Sequence, residues 1–405
     1  MAAWRVLAVL TLANVLNFYD RALPGILVEP VAAEFGLSDT MIGTLGSLFV
    51  VVYALAGLHL GRLTDRYSRR RILVLGVLAW STFTALTGAA SSLLILLIAR
   101  AGVGIGEAAF APAANSLIGE RFPTERRGRA TAVLQLGIPV GFVLAALTVG
   151  PVVNSFGTWR APFVLAAAAG CVVAAMLYRM PADRRPPADH DSGSIRSIMA
   201  LVSIAEVRWL VLSGIGIQIA SYAVATFLTA YVQRYFGLTL TRAATTVGVT
   251  VGASAVLGLL LGGVLADRAR KRSSAARSAA GGLAVLAAVP LTALSFTFSS
   301  RSFEAFVVVF SAGWLCVNAF HSAALATLFD VVPPQQRGSA VGVFYAAFYL
   351  LGGALGPVLV GALSDILGAG TAAATGLRHS LLLVVPCALM LASLGLLGAA
   401  RRQKR

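Results

Sequence analysis

The chain has 405 residues, of which 58% are hydrophobic and 12% are charged, whereas soluble domains usually carry about 25% charged residues. The formal net charge of +16 at pH 7 would fit a nucleic-acid-binding protein, but the basic residues lie in short stretches between long apolar runs. This composition excludes a soluble globular domain and indicates an integral membrane protein.

Twelve apolar runs are each long enough to cross a membrane, because a helix of about 20 apolar residues spans a hydrocarbon core about 30 Å thick. The first run contains polar and charged residues, and no small-residue cleavage site is evident, so we interpret it as a retained helix rather than a signal peptide. The sequence therefore predicts an all-α integral membrane protein with twelve transmembrane helices, at roughly 6–27, 41–61, 72–90, 93–118, 130–151, 161–179, 208–232, 243–265, 279–299, 303–328, 339–362 and 380–400.

Most of the 32 Lys and Arg residues fall on one side of the membrane if successive runs alternate in direction. Two, Arg21 and Arg100, lie within runs. Cytoplasmic loops carry the excess of Lys and Arg, so both termini are predicted to be cytoplasmic. The basic residues therefore set the topology, and no nucleic-acid partner is expected. The opposite side has only Arg160, Arg234, Arg242, Arg301 and Arg378.

A polar segment, Met180–Glu206, separates six runs from six. We predict an N-terminal six-helix bundle at 1–180, a cytoplasmic linker at 181–207, and a C-terminal bundle with a basic tail at 208–405. The two halves repeat each other, because Gly61–Arg66 matches Gly263–Arg268, and Glu120–Ala130 matches Asp330–Ala340 in the same order. Parallel six-helix repeats are typical of transporters whose site lies near the membrane midplane.

The motifs resemble those of a known family. GRLTDRYSRRR resembles the cytoplasmic signature loop of the major facilitator superfamily. NFYDR, FGLSDTMIGTLGSLF and RAGVGIGEAAFAPAANSLI, all between residues 14 and 130, resemble the Spinster (sphingolipid-transporter-like) family. The resemblance implies a secondary transporter that works by alternating access.

The resemblance also implies a conformational latch that closes the cytoplasmic side. The alternative is that these arginines only fix the topology and that Asp65 only satisfies local backbone groups. Gly57 and Gly61, and likewise Gly258 and Gly262, have the spacing that lets helices approach closely. The latch residues would be Gly61, Asp65, Arg66, Arg70, Asp267 and Arg268.

Ionisable residues inside a membrane helix cost at least ~2.5–3.5 kcal/mol at its centre and are functional candidates by default. Asn14, Asn17 and Arg21 share one face of the first helix, with Asp20 beside them, and Arg100, Glu107 and Asn115 form a stripe on the fourth. We expect the two stripes to meet, with Asp20 and Glu107 balancing Arg21 and Arg100.

Two interpretations of these charges remain open. They form a structural ion-pair network, or Asp20 and Glu107 couple transport to protons while Asn17, Arg21 and Arg100 bind substrate. In the second half we predict substrate contacts whose alternative is ordinary helix–helix hydrogen bonding. They are Gln218, Tyr222, Asn318, His321 and Tyr345.

No catalytic constellation, metal-ligand spacing or cofactor motif is evident, and GVGIGE at 102–107 indicates close helix packing rather than a nucleotide site. Arg21 and Arg100 suit an anionic or zwitterionic head group, because Arg binds phosphate and carboxylate well. Together with the Spinster resemblance, this implies a transporter of a lysolipid or sphingoid-phosphate-like amphiphile, which we expect to be proton-coupled. The alternatives are a proton-driven exporter of hydrophobic cations and, in a different class, a membrane receptor or scaffold. We further expect a bacterial inner membrane protein that contacts membrane lipids and functions as a monomer.

Overall fold

The computed structural model describes residues 2–181, 201–333, 336–370 and 373–403. These residues form long helices joined by short connections, and they contain no strand. Most of the predicted linker, residues 182–200, lies outside the described residues.

The first half of the chain contains six candidate membrane spans and nine helices. The short helix α2 follows the first span, and the fourth and fifth spans are each made of two helices. The helices are α1 Ala2–Ile26, α2 Val28–Phe35, α3 Asp39–Arg66, α4 Arg69–Gly88, α5 Leu93–Ala108, α6 Phe110–Arg121, α7 Thr124–Gln135, α8 Gly137–Phe156 and α9 Ala161–Tyr178.

The second half contains six further spans. The eleventh span of the chain is made of two α-helices with a π-helical segment, Phe348–Gly353, between them. The α-helices are α10 Ala205–Phe236, α11 Leu240–Arg270, α12 Ser274–Ser295, α13 Phe303–Val331, α14 Arg337–Ala347, α15 Leu355–Gly368 and α16 Ala373–Arg402. Twelve helical segments of the described chain are thus long and apolar enough to cross a membrane, which confirms the predicted fold class.

Equivalent local signals end and begin helices in both halves. Ser68 caps α4 by accepting from the Arg71 N–H, and Ser273 caps α12 by accepting from the Ala276 N–H. Gly36 and Gly237 adopt left-handed conformations, with φ of 63° and 68°, just before α3 and α11. Glycine takes such angles without steric cost. The repeat found in the sequence therefore extends to the helix boundaries.

The described residues divide into two compact units. The first holds residues within Met1–Gly36, Leu48–Ser192 and Leu240–Gly248, and the second holds residues within Leu37–Ser47, Gly193–Thr239 and Val249–Arg405. In the first unit, α1 packs against α8 and α9, and α4 packs against α5 and α9. In the second, α10, α12 and α15 all pack against α16. The start of α3 belongs to the second unit, and the start of α11 belongs to the first.

Candidate substrate and proton site

The glycines of GVGIGE bring α5 close to two neighbouring helices of the first unit. A Cβ on Gly104 would lie 3.0 Å from the Phe49 carbonyl oxygen of α3, and one on Gly106 would lie 2.6 Å from the Trp80 nitrogen of α4. A Cβ on Gly102 would collide with the Phe83 ring. The segment is therefore a helix-packing element, as predicted, and it fixes Glu107 between α1, α3 and α4.

The predicted meeting of the charged stripes is found at Arg21 and Glu107. The Arg21 Nε donates to Glu107 Oε2 at 2.6 Å, and the side chains are 9% and 0% exposed. Asn17, also buried, lies beside the same carboxylate. A charge-assisted bond of this length in a site closed to water fixes both side chains.

Asp20 and Arg100 complete a buried cluster of four charges. Asp20 is 1% exposed and Arg100 is 6% exposed. The Thr84 hydroxyl donates to Asp20 Oδ2 at 3.4 Å, and Oδ1 has no hydrogen-bond partner among the described residues. Arg100 interacts electrostatically with both Asp20 and Glu107. Two positive and two negative groups balance, which makes their burial tolerable.

Three aromatic rings surround the Arg21 guanidinium, an arrangement that sequence analysis missed. The Arg21 Cζ lies 4.4 Å from the Tyr53 ring centroid, 4.8 Å from that of Phe18 and 5.4 Å from that of Phe49. The Arg100 Cζ lies 4.8 Å from the same Phe49 centroid. The available signal was spacing, since Phe18 precedes Arg21 by one helical turn, and Phe49 and Tyr53 lie four residues apart.

Two members of the predicted stripes bond elsewhere. Asn14 donates through Nδ2 to the Leu134 carbonyl of α7 at 2.8 Å, and so ties α1 to its neighbour. Asn115 is exposed and donates to the Ala111 carbonyl one turn earlier at 2.9 Å. Neither amide belongs to the charged cluster.

In the second unit, three predicted substrate residues share one aromatic cluster. The Tyr222 and Tyr345 rings lie 6.3 and 6.2 Å from the Tyr349 ring, and the His321 ring lies 6.4 Å from that of Phe348. Phe348 and Tyr349 both belong to the π-helical segment. Such segments are frequent at functional sites, and this one gathers side chains from α10, α13 and α14.

The two amide side chains predicted to bind substrate in the second unit, Gln218 and Asn318, are engaged in helix packing or hydrogen bonding. Gln218 is 6% exposed and packs against Gly352, where a Cβ would lie 2.7 Å from the Gln218 Cβ. The Asn318 Nδ2 donates to the Trp314 carbonyl of its own helix at 2.8 Å. Asn318 thus makes the ordinary hydrogen bond that was the alternative to substrate binding.

Arg70 makes local contacts that tie α4 to the end of α9. Its Nη1 donates to the Met180 carbonyl at 2.8 Å, and its Cζ lies 5.9 Å from the Tyr178 ring centroid. The other latch candidates are seen only in part, because the Asp65 side chain lies outside the described residues. Exposed positions at the ends of α3 and α11 hold Arg66, Asp267 and Arg268. The latch itself stays a prediction.

The two glycine pairs of the latch region differ from each other. A Cβ on Gly258 or Gly262 would collide with α13 at Leu315 or Ala319, so close packing is found there. A Cβ on Gly57 or Gly61 would meet no described atom within 4 Å. Close helix approach at Gly57 and Gly61 stays a prediction.

The described residues contain no group of three or more His, Cys, Asp or Glu residues that could hold a metal ion. Twelve apolar helices in two repeats, with balanced charges buried among them, define a polytopic membrane protein of the solute-transporter class.

A family model described as Major Facilitator Superfamily matches residues 10–357. The chain belongs to the major facilitator superfamily, and it is a transporter rather than an enzyme.

Relatives place the chain near two named groups within this superfamily. It is 32% identical over 391 residues to an MFS-type efflux pump of Mycolicibacterium smegmatis, covering 95% of this chain and 89% of that one. It is 26% identical over 386 residues to the sphingosine-1-phosphate transporter SPNS2 of Mus musculus, covering 90% and 70%. The crystal structure of a bacterial homologue of the human lysosomal transporter Spinster, inward-facing and unoccupied, matches with a TM-score of 0.89 at 26% identity, covering 100% and 98%. The predicted resemblance to the Spinster family is confirmed.

Proposed function

We propose that this transporter moves an amphiphile with a phosphate or carboxylate head group, such as a lysolipid or a sphingoid phosphate, in exchange for or together with protons. The observation that carries the proposal is the buried ion pair between Arg21 and Glu107, at 2.6 Å, inside a neutral four-charge cluster. An ion pair closed to water can be opened by a charged substrate, and opening it changes the charge that the remaining partner must carry.

The head group engages the arginines. A guanidinium presents several N–H donors in a planar fork that matches phosphate and carboxylate oxygens. When Arg21 turns toward such a head group, Glu107 loses its direct partner while it stays buried. Taking up a proton then removes an unpaired buried charge, which is costly in this environment. Substrate binding and protonation become linked through one residue.

Asp20 is the second proton carrier. One of its oxygens accepts a hydrogen bond from Thr84, and the other has no hydrogen-bond partner among the described residues. A protonated Asp20 could donate a hydrogen bond that a carboxylate cannot. Arg100 interacts electrostatically with both carboxylates. A change of charge on Glu107 therefore changes the electrostatic environment of Asp20.

The aromatic cluster of the second unit suits an apolar tail. Tyr222, Tyr345 and Tyr349 are not buried, and each of these side chains has an apolar ring and a polar hydroxyl. Tyr345 is 36% exposed, so part of this surface is accessible. Relatives in the Spinster family include a protein named for sphingosine-1-phosphate transport, which supports a substrate of this kind.

Export of hydrophobic cations is a second candidate. A specific observation favours it, since the 32% identical relative is named as an efflux pump. Buried carboxylates attract organic cations, so head-group charge separates the two candidates. A purely scaffolding role is set aside because the chain belongs to a transporter family.

The protein is an integral membrane protein, and we propose that it resides in a bacterial inner membrane and works as a monomer. The relative from Mycolicibacterium smegmatis and the short loops support this location. One chain supplies both six-span halves of the repeat, which supports a monomer.

The test uses proteoliposomes with an imposed pH gradient and a labelled lysolipid, comparing the native protein with Glu107→Gln. The matched control is Glu34→Gln, the same substitution at a carboxylate outside the charged cluster. The proposal predicts gradient-driven movement in the native protein and the control and its loss in Glu107→Gln. Movement that ignores the gradient in all three would contradict proton coupling. Absence of lysolipid movement together with transport of a hydrophobic cation would favour the second candidate.

A further inference from the structure

The Arg21 guanidinium occupies a compartment with the chemistry of an organic-cation site. Tyr53, Phe18 and Phe49 place ring centroids 4.4 to 5.4 Å from its Cζ, and Glu107 accepts its Nε–H at 2.6 Å. Several aromatic faces and one carboxylate are the groups that recognise quaternary and alkylated ammonium ions. The compartment currently holds a cation that belongs to the protein itself.

An aromatic compartment does not distinguish strongly between cations of similar size, because the attraction comes from the ring quadrupoles. A trialkylammonium head group carries the same charge as a guanidinium and has a more apolar surface. It cannot enter while Arg21 is in place. The guanidinium and a ligand ammonium are therefore mutually exclusive occupants of one compartment.

We propose that Phe18, Phe49, Tyr53 and Glu107 form a cation site that Arg21 fills in the absence of ligand and that the ammonium group of a substrate takes when Arg21 leaves. This inference rests on the proposed function and extends it to the head group. A zwitterionic amphiphile binds to both the cation site and the displaced Arg21. Its ammonium group enters the compartment, and its phosphate or carboxylate pairs with Arg21. Hydrophobic cations would use the compartment alone.

A second arginine of the first unit offers a matched comparison. Arg160 pairs with Glu34 at 2.6 Å, and its Cζ lies 4.5 Å from the Trp159 ring centroid. This group has one ring instead of three, and its side chains are 30% and 40% exposed. Water competes for the Glu34 carboxylate there, so a carboxylate and a ring at this position should not bind an organic cation well.

The experiment measures equilibrium binding without any pH gradient. The probes are octyltrimethylammonium, octyl phosphate and octanol, which share a tail and differ in head-group charge. Binding is followed as the ligand-dependent rise in thermal unfolding temperature, read from the fluorescence of the five tryptophans. The variants are Arg21→Gln, Tyr53→Leu, the two combined and, as control, Arg160→Gln.

Opposite signs are expected for the two charged probes. Arg21→Gln should tighten octyltrimethylammonium binding about threefold to thirtyfold, the range that one cation–π contact represents, and should weaken octyl phosphate binding. Tyr53→Leu removes a ring that attracts the guanidinium and the ammonium alike. It should therefore weaken the ammonium probe only in the Arg21→Gln background, and on its own it should tighten octyl phosphate binding because Arg21 is released more easily. Arg160→Gln should change neither probe, and octanol should respond to none of the variants.

Unchanged or weaker ammonium binding in Arg21→Gln would overturn the cation site. If that variant does not fold, Tyr53→Leu decides through octyl phosphate, and phosphate binding no tighter than in the native protein would overturn the compartment as well. The outcome is separable from that of the proposed function. Gradient-insensitive transport contradicts proton coupling and leaves the equilibrium binding result intact.

Discussion

Glu107 and Asp20 are both buried carboxylates, yet their partners differ. Glu107 is bonded directly to Arg21, whereas the only direct donor to Asp20 among the described residues is the Thr84 hydroxyl, at 3.4 Å. A head group that attracts Arg21 therefore changes the surroundings of Glu107 first. Asp20 responds through the electrostatic contact that both carboxylates share with Arg100.

Asp20→Asn should uncouple the proposed proton movement and preserve substrate exchange. The amide keeps the size of the side chain and still accepts from Thr84, so the helices should pack as before. Gradient-driven uptake should fall about tenfold or more, the effect of a change of about 1.4 kcal/mol. Counterflow of labelled substrate, which needs no gradient, should stay near the native rate. Loss of counterflow would show that Asp20 acts in structure or binding instead.

The Glu34 pair predicts a pH dependence of stability outside the membrane spans. Arg160 donates to both Glu34 oxygens at 2.6 Å, and the Trp159 Nε1 donates to one of them at 2.6 Å. These hydrogen bonds hold the pKa of Glu34 at about 2, below its ordinary 4.5, and the same pairing raises the pKa of Arg160. Since the folded-state pKa is the lower one, the pair stabilises the fold above the ordinary value and loses that contribution as the pH falls toward the folded-state value.

The difference in unfolding temperature between the native protein and Glu34→Gln should therefore be constant from about pH 7 to pH 5 and shrink below about pH 4. The effect should be small because the pair is partly exposed and screened by water. Thermal unfolding of both proteins across this range measures it. A difference that persists undiminished at about pH 3 would contradict the assigned role of the pair.

At the scale of elements, the glycines of α5 decide how closely helices of the first unit approach. A Cβ on Gly106 would lie 2.6 Å from the Trp80 nitrogen and 2.9 Å from the Gly76 oxygen. Both are backbone atoms, which cannot move without shifting the helix. The site depends on this approach because Glu107 follows Gly106 directly.

Gly106→Ala should destabilise the protein by about 1–3 kcal/mol, the usual cost of overpacking. Gly119→Ala is the matched control, since a Cβ there meets no described atom within 4 Å. Replacing glycine by alanine inside a helix gains up to about 1 kcal/mol in propensity, so the control should be slightly more stable than the native protein. Denaturation midpoints of the three proteins give the result. Equal effects of the two substitutions would contradict the packing role of Gly106.

The start of α3 is held in the second unit by a network of charges. Asp365 of α15 accepts from the backbone N–H groups of Asp39 and Thr40 at 3.1 and 2.9 Å, and so caps α3 from another helix. The Asp39 carboxylate accepts from Arg234 at 2.8 Å and from Ser364 at 2.6 Å. At the start of α11, in the first unit, the neutral Asn154 donates to the Thr241 hydroxyl at 3.2 Å.

Asp365→Ala should loosen the first turn of α3. Loss of a helix cap costs about 0.5–2 kcal/mol, which corresponds to amide hydrogen exchange about twofold to thirtyfold faster at residues 39–44. Asn154→Ala is the control, because it removes a neutral contact at the start of α11 and should leave exchange at residues 39–44 unchanged. Unchanged exchange in Asp365→Ala would show that the cap contributes little to holding α3.

At the scale of the whole molecule, the repeat explains why so much of the fold could be predicted. The length of the spans, the alternation of basic loops and the matched segments Glu120–Ala130 and Asp330–Ala340 follow from local rules that apply to both halves. The meeting of Arg21 with Glu107 could be expected as well, since buried membrane charges need partners and few are available.

Other features depend on which atoms lie nearest in three dimensions. Asn14 and Asn318 donate to the backbone carbonyls of Leu134 and Trp314, and their spacing in the sequence does not predict these partners. The Asp39–Arg234 pair joins residues 195 positions apart, and Asp365 reaches Asp39 across 326. No periodicity encodes such distances. Gly258 and Gly262 show the same limit, because their spacing allows a close approach but does not identify α13 as the neighbour.

The most direct test of the central claim is to measure proton movement driven by substrate alone. Proteoliposomes without an imposed gradient carry a trapped pH indicator, and a lysolipid is added outside, with protein-free liposomes as background. We predict a change in internal pH with the native protein and with Glu34→Gln, and none with Glu107→Gln. Lysolipid movement by the native protein without any pH change would contradict proton coupling and leave the charged cluster with substrate binding alone.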